Sequence, residues 1–160
     1  MEVRPYDADR DREGLWRCKR AFELGLGDED EEKRRAYEGK LTDAYRRRYF
    51  DWVDRCVADD PRCVTVAERA GDPVGYVFVL PERLAMIWDA AVLNEVYVRP
   101  AARGSGVADA LMDAAVTLAR DQDLPLDRLV LDVDRDNERA RAFYERHGFG
   151  HWGEMVARPL

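Results

Sequence analysis

The chain alternates between two periods of apolar spacing, and the points where the period changes divide it into elements. Val3 to Tyr6 reads as a short strand. Asp7, Asp9 and Asp11 then offer N-caps to a helix carrying Leu15, Cys18 and Phe22 on one face, ending near Gly25 or Gly27. An acidic run, Asp28 to Glu32, leads into a second helix, where negative charge suits the positive helix start. Its apolar positions, Tyr37, Leu41, Tyr45, Tyr49, Trp52, Val53 and Cys56, recur at helical spacing. The acidic run is therefore a solvated helix entrance rather than a binding tail.

From residue 62 the period shortens to two. Cys63 to Ala67 and Val74 to Leu80 form a predicted hairpin around the turn Gly71-Asp72-Pro73. Pro81 ends it, and a further strand is expected from about Trp88 to Val98, stopped by Pro100. A helix follows from about Gly104 to Arg120, with Val107, Leu111, Ala114 and Leu118 on one face. Leu129 to Val133 is nearly all apolar, as the buried centre of a sheet would be. Asp136 or Asn137 opens the next helix, Gly148 closes it, and Phe149 to Val156 can supply a last strand. The order β-α-α-β-β-β-α-β-α-β predicts an α/β chain with a mixed sheet and helices on both faces.

With 160 residues and 46% hydrophobic content, the sequence suits one domain spanning 1–160. No repeat or linker divides it. The charged fraction, 37%, exceeds the usual share of roughly a quarter. A net charge of −7 argues against general nucleic-acid binding, because a phosphate backbone needs a basic face. Of the 26 cations only Lys19, Lys33 and Lys40 are lysine. Either a salt-adapted source or codon bias would give that skew. Cys18, Cys56 and Cys63 form no CxxC pair, and the two histidines, His147 and His151, have no metal-binding spacing, so neither a disulfide framework nor a metal is expected. The amino terminus lacks a signal-like apolar run, and no stretch approaches the ~20 apolar residues of a membrane helix. The expectation is a soluble, cytoplasmic chain without a membrane partner.

The chemistry gathers in two places. The first is the turn Arg103-Gly104-Ser105-Gly106-Val107-Ala108, set between strand and helix. Two glycines let a backbone approach an anion closely, and the amides at a helix start have no partner within the helix. Together with the helix dipole they favour a pyrophosphate. A P-loop is excluded because no lysine follows Gly104 or Gly106. A GxGxxG dinucleotide fingerprint is excluded because Asp109 stands where its third glycine belongs, and because a hairpin precedes the turn.

The second is the run Asn137-Glu138-Arg139-Ala140-Arg141-Ala142-Phe143-Tyr144-Glu145-Arg146-His147-Gly148-Phe149. At 100° per residue, Asn137, Ala140, Arg141 and Tyr144 share one helix face, while Phe143 points away from it. A polar start, a small middle and a terminal phenol make a groove that a long thioester could follow.

Both stretches resemble motifs of the GNAT superfamily of acetyl-CoA-dependent N-acetyltransferases. Arg103, Gly106 and Ala108, after Val96-Tyr97-Val98-Arg99-Pro100, match its Q/R-x-x-G-x-G/A pattern. The second run matches N-x-x-A-x-x-F-Y-x-x-x-G-F. The resemblance covers roughly Val92 to Phe149 and implies a GNAT-type fold. It further implies that Arg103 to Ala108, with Asp109 at the edge, wrap the cofactor pyrophosphate, that Val96 and Val98, with Tyr97 between them, line the pantetheine, and that Asn137 hydrogen-bonds it. Tyr144 would sit beside the sulfur.

The reaction explains why a phenol suits that place. An amine attacks the thioester, an oxyanion forms, and a thiolate leaves. A phenol with an ordinary pKa near 10 stays protonated and can donate to that thiolate, while the Val96 amide meets the oxyanion. Glu95 is read as a base acting through water, or instead as a structural ion-pair partner or a substrate anchor. Asp89 and Asn94 are candidates for the acceptor pocket, and Trp16, Tyr37, Tyr45 and Trp52 for its border. The implied partner is an amine-bearing small molecule or a peptide terminus, with a homodimer allowed. Two alternatives stand beside this: an enzyme using another acyl-CoA, and a catalytically silent acetyl-CoA sensor.

Overall fold

A computed structural model describes residues 1–28 and 30–160. The chain divides into two compact units, residues 1–130 and 131–160.

The first unit holds a five-stranded sheet in the order β1 (Glu2–Pro5), β2 (Val64–Arg69), β3 (Asp72–Val79), β4 (Ala91–Val98), β5 (Leu129–Val130). The first four strands pair antiparallel, and β4 pairs with β5 in parallel, giving the expected mixed sheet. Its helices are α1 (Ala8–Gly25), α2 (Glu31–Lys40), α3 (Asp43–Asp59) and α4 (Val107–Asp121).

Strand alternation separates two cores. Tyr76 and Phe78 of β3 join Val64 and Val66 of β2 in a cluster with Leu15 and Cys18 of α1 and Tyr49, Phe50, Val53 and Cys56 of α3. Val77 and Val79 point to the other face. There α4 packs with Val107, Leu111, Met112, Ala115 and Leu118 buried. The periodicity had placed Ala114 on that stripe, but it is only half-buried, and Met112 and Ala115 lie inward instead.

The predicted second helix is two helices. Leu41 leaves the helical conformation (φ −77°, ψ 59°), and the Thr42 hydroxyl accepts from Tyr45 N at 3.1 Å, capping α3. Such a cap contributes about 1 kcal/mol. It resets the helix, so Tyr37 and Tyr45 belong to different cylinders. The acidic run Asp28–Glu32 includes Glu29, which lies outside the described residues; Asp30 caps α2 through Glu32 N and Lys33 N. A two-residue loop, Ala70-Gly71, joins β2 to β3 with positive φ at both positions (51° and 81°).

Two other expectations differ. The strand expected from Trp88 starts at Ala91, after a 3-10 turn at Glu82–Ile87, and Trp88 itself is exposed. The strand expected over Leu129–Val133 is reduced to Leu129–Val130 and is half-buried rather than central.

The second unit is built on α5 (Glu138–Arg146), capped by Asn137, whose side chain accepts from Ala140 N at 3.1 Å. Gly148, at φ 86°, ends it as predicted. Residues 149–156, the anticipated last strand, carry no strand, and Trp152, Met155 and Val156 are exposed. Among the described residues no helix is long and apolar enough to cross a membrane.

Candidate active site

Strand β4 brings Glu95, Val96, Tyr97 and Val98 into one extended run that leads through Pro100–Ala102 into the glycine turn. β5 pairs with β4 only at Ala91–Leu129 and Val92–Val130. Among the described residues, the run from Asn94 to Val98 therefore has a strand neighbour on its β3 side alone. Arg99 donates its backbone N–H to Val74 O at 2.8 Å. Backbone direction alternates along a strand, so the N–H of Tyr97 faces β3, and those of Val96 and Val98 face the other edge. These are the two residues whose backbones the resemblance assigns to pantetheine.

At the turn, Gly104 and Gly106 take φ values of 71° and 80°, a left-handed region that L side chains rarely adopt. Gly106 is the N-cap of α4 and supplies no side-chain cap. Among the described residues the other four α-helices each receive one, from Asp7, Asp30, Thr42 and Asn137. The space outside both glycines is open, with nothing within 4 Å of where a Cβ would stand. An α-helix of 15 residues thus begins on an open glycine turn whose N-cap residue offers no side-chain acceptor. That arrangement suits an incoming phosphate oxygen.

Around it, Arg103 Nε donates to Val98 O at 2.9 Å, closing the turn onto the strand end, and the Ser105 hydroxyl donates to Ala102 O at 2.6 Å. Arg69, from the far end of β2, donates to Ser105 Oγ at 2.7 Å. Nothing in the sequence links a hairpin residue to a turn 36 positions later, so Arg69 was not among the candidates. Val107 is buried behind the turn, and Ala108 and Asp109 are half-buried on the first turn of α4.

Glu95 lies on the α1 and α3 side of β4, 4% exposed, with all of its acceptor capacity engaged. Oε1 accepts from Lys19 Nζ at 2.8 Å and Asn94 Nδ2 at 3.3 Å. Oε2 accepts from Tyr76 at 2.6 Å and Tyr49 at 3.2 Å. These contacts make Glu95 the centre of a buried ion pair with Lys19. Burial and the adjacent carboxylate push the Tyr49 and Tyr76 phenols well above their ordinary range. Lys19 continues the network to Glu23. Burial alone would raise the Glu23 carboxyl, but the Lys19 and Lys40 ammoniums hold it below the usual carboxylate range. Burial likewise opposes the Lys19 charge, yet Glu95 and Glu23 keep its pKa above the ordinary lysine value. Lys19 and Glu23 were missed in the sequence because an isolated i,i+4 pair on a helix reads as surface. Of the weaker candidates, Asp89 sits in a turn with φ 51°, and Trp16, Tyr45 and Trp52 pack against the first core.

In the second unit, α5 places Asn137, Ala140, Arg141 and Tyr144 on one face by helical spacing. The Asn137 carbonyl oxygen is spent on the helix cap, which leaves its amide N–H groups as the donors to any ligand. Arg141 donates to Arg135 O at 2.9 Å. Tyr144 is half-buried between the rings of Phe143 and Phe149, at 5.6 and 5.7 Å, and burial pushes its phenol up to about 12. Among the described residues no group of three His, Cys, Asp or Glu side chains could hold a metal ion.

Comparison with known proteins fits this geometry. Residues 27–149 match the family model described as the acetyltransferase (GNAT) family. The chain is 38% identical over 132 residues to a mycothiol acetyltransferase of Salinispora arenicola, covering 74% of this chain and 38% of that one. It is 27% identical over 120 residues to the peptidyl-lysine N-acetyltransferase YjaB of Salmonella typhimurium, covering 75% and 71%. The PaiA N-acetyltransferase of Thermoplasma acidophilum, solved in complex with coenzyme A, shares the fold with a TM-score of 0.72 at 18% identity, covering 93% of this chain and 89% of that one. The chain spans less than two fifths of the length of the mycothiol acetyltransferases it matches.

An open glycine turn after a half-paired strand, in a mixed sheet of this order, defines an acyl-CoA-type transferase fold. The chain belongs to the GNAT acetyltransferase family.

Proposed function

We propose that the protein moves an acetyl group from acetyl-CoA to a primary amine by direct attack, without a covalent enzyme intermediate. The observation that carries this reading is the uncapped start of α4 behind left-handed Gly104 and Gly106. The family match, which runs through both compact units, supports treating residues 1–160 as one acetyltransferase domain.

When bound, acetyl-CoA supplies an activated acyl group as a thioester. The amides of residues 104 to 109 hold its diphosphate, with Arg103 and Ser105 bracing the turn. Val96 and Val98 offer backbone hydrogen bonds along the edge of β4, and the Val96 N–H donates to the oxygen that gains charge as the amine attacks. Asn137 donates through its side-chain amide, while Ala140 and Arg141 flank the same helix face. Tyr144 gives its proton to the departing thiolate, and the proton lost by the attacking nitrogen passes to solvent water, which reprotonates the phenolate. Glu95 positions strand β4 through Lys19, Tyr49 and Tyr76, since an oxygen pair with four donors has no lone pair left for proton abstraction.

The acceptor is a primary amine, the group that the peptidyl-lysine relative is named for. An acidic chain mildly favours a cationic one. The test is a panel of amines assayed for thiol release from acetyl-CoA, with propionyl- and succinyl-CoA compared by calorimetry. Amine-dependent release supports the reading. Tight acetyl-CoA binding without release for any amine would favour a sensor instead.

A further inference from the structure

Two of the chain's three lysines converge on one buried carboxylate. Glu23 is 3% exposed. Its Oε1 pairs with Lys19 Nζ, and its Oε2 with Lys40 Nζ at 2.6 Å. Tyr45 donates to Oε1 at 3.4 Å. Aromatic faces surround both ammoniums: Lys40 Nζ lies 4.7 Å from the Tyr37 ring centre and 5.2 Å from that of Tyr45. Lys19 Nζ lies 4.7 Å from Tyr49, 5.4 Å from Phe22 and 5.9 Å from Tyr45. A carboxylate whose paired ammoniums lie against aromatic faces within about 6 Å is the chemistry that receives alkylammonium ions.

The two lysines are not equivalent. Lys19 is enclosed and also binds Glu95, which makes it part of the core network. Lys40 has a side chain 36% exposed, on the last turn of α2, a helix in which no residue is buried. Rotating that side chain outward gives up its contacts with the Tyr37 and Tyr45 rings and leaves a buried carboxylate oxygen without its cation, which is costly unless another ammonium takes both places. A second ammonium replaces it like for like; a guanidinium, flat and forked, does not. Arginine makes up all but three of the chain's cations, yet lysine stands at both of these positions.

We propose that Glu23, Tyr37 and Tyr45 form a receptor for an alkylammonium group, and that Lys40 is an internal stand-in which the acceptor displaces. This deepens the amine-acetylation reading and rests on it for the word acceptor. An amine must be uncharged to attack, so the ammonium on Glu23 is a second group of the same molecule. The acceptor class is therefore an alkyl diamine or a peptide presenting two amines. Lys19 connects this receptor to Glu95, the neighbour of Val96 on β4.

The test is calorimetric binding of 1,4-diaminobutane to the full chain without cofactor, at fixed ionic strength and neutral pH. Removing an internal competitor raises apparent affinity by the reciprocal of the fraction of time the site stood free. Lys40→Met should bind at least about fivefold more tightly than the wild type. Lys40→Arg should not gain. Glu23→Gln should lose binding, and because it disturbs a buried pair, Tyr45→Leu, which leaves the charges in place, should weaken binding several-fold alongside it. Equal affinity in the wild type and Lys40→Met, or no binding by Lys40→Met, overturns the proposal. Acetyl transfer is not the readout. If the chain acetylates amines but Lys40→Met shows no gain, only the receptor falls; if the binding pattern holds and no amine is acetylated, only the transferase reading falls.

Discussion

Tyr144 packs between two aromatic rings, and burial pushes its phenol up to about 12, so the protonation an ordinary phenol has at neutral pH extends well into the alkaline range. Tyr144→Phe removes the hydroxyl and keeps the ring packing. Turnover should fall at least tenfold, about 1.4 kcal/mol of transition-state stabilisation, while acetyl-CoA affinity changes little. Steady-state thiol release and equilibrium binding, measured on the same variant, check this; full activity would remove the acid role. At this scale the sequence was legible where function imposes a local pattern, as with Asn137 and Tyr144 on one helical face. It was silent on the pairing of Lys19 with Glu95, which meet across 76 positions. A pair that distant leaves no periodicity to read. Only the folded sheet reveals that the Glu95 carboxylate, open to three roles from sequence, accepts from four donors.

Elements were legible in proportion to their local signals. Helix α4 carries a clear apolar stripe and a glycine start, and it appears where expected, beginning three residues later at Val107. Helices α2 and α3 were read as one because Tyr37, Leu41 and Tyr45 keep helical spacing across the break. The single hydroxyl of Thr42, competing for Tyr45 N, decides otherwise. Residues 149–156 have strand-like composition and form none, since ladder pairing depends on a partner and not on propensity alone. The glycine turn yields a sharper expectation. Gly106→Asp puts a carboxylate among the amides assigned to the diphosphate and forces a left-handed conformation costing roughly 1–2 kcal/mol. The open space there means the fold should survive. Calorimetry should show acetyl-CoA binding abolished while a thermal melt remains cooperative; retained binding would move the phosphate site elsewhere.

Across the molecule, buried charge and buried phenols bound the pH range of stability. Asp11 and Glu23 have carboxyls held below their ordinary values despite burial, by Arg4 for the first and by Lys19 and Lys40 for the second. Depressed carboxylates contribute stability that is present above the unfolded value and lost as pH falls below about 4.5. Burial raises the phenols of Tyr6 and Tyr144 to about 12, and those of Tyr49 and Tyr76 well above 10. An unfolded chain releases those protons near pH 10, and it releases the thiols of Cys18, Cys56 and Cys63, which burial also raises, near 9, so stability should decline from about pH 9 upward. Melting temperature against pH should show a plateau between about pH 5 and 9 with a fall on both sides, steeper above about pH 10 where the phenols join. A melting temperature that stayed level through about pH 11 would contradict the raised phenols. The mixed sheet was legible as a whole because a hairpin-rich front followed by alternating strands and helices permits few arrangements.

The Ala70-Gly71 corner shows that this sequence has not reached the most stable form of its own fold. A two-residue connection with both φ values positive favours Asn-Gly, because asparagine tolerates that backbone and alanine resists it. Evolution has left a mismatched residue at the tightest bend of the sheet, on a loop tip where a replacement meets little resistance. Anyone wishing to toughen the protein for crystallisation or heat has a starting point in Ala70→Asn, far in sequence from α5 and without altering a single strand.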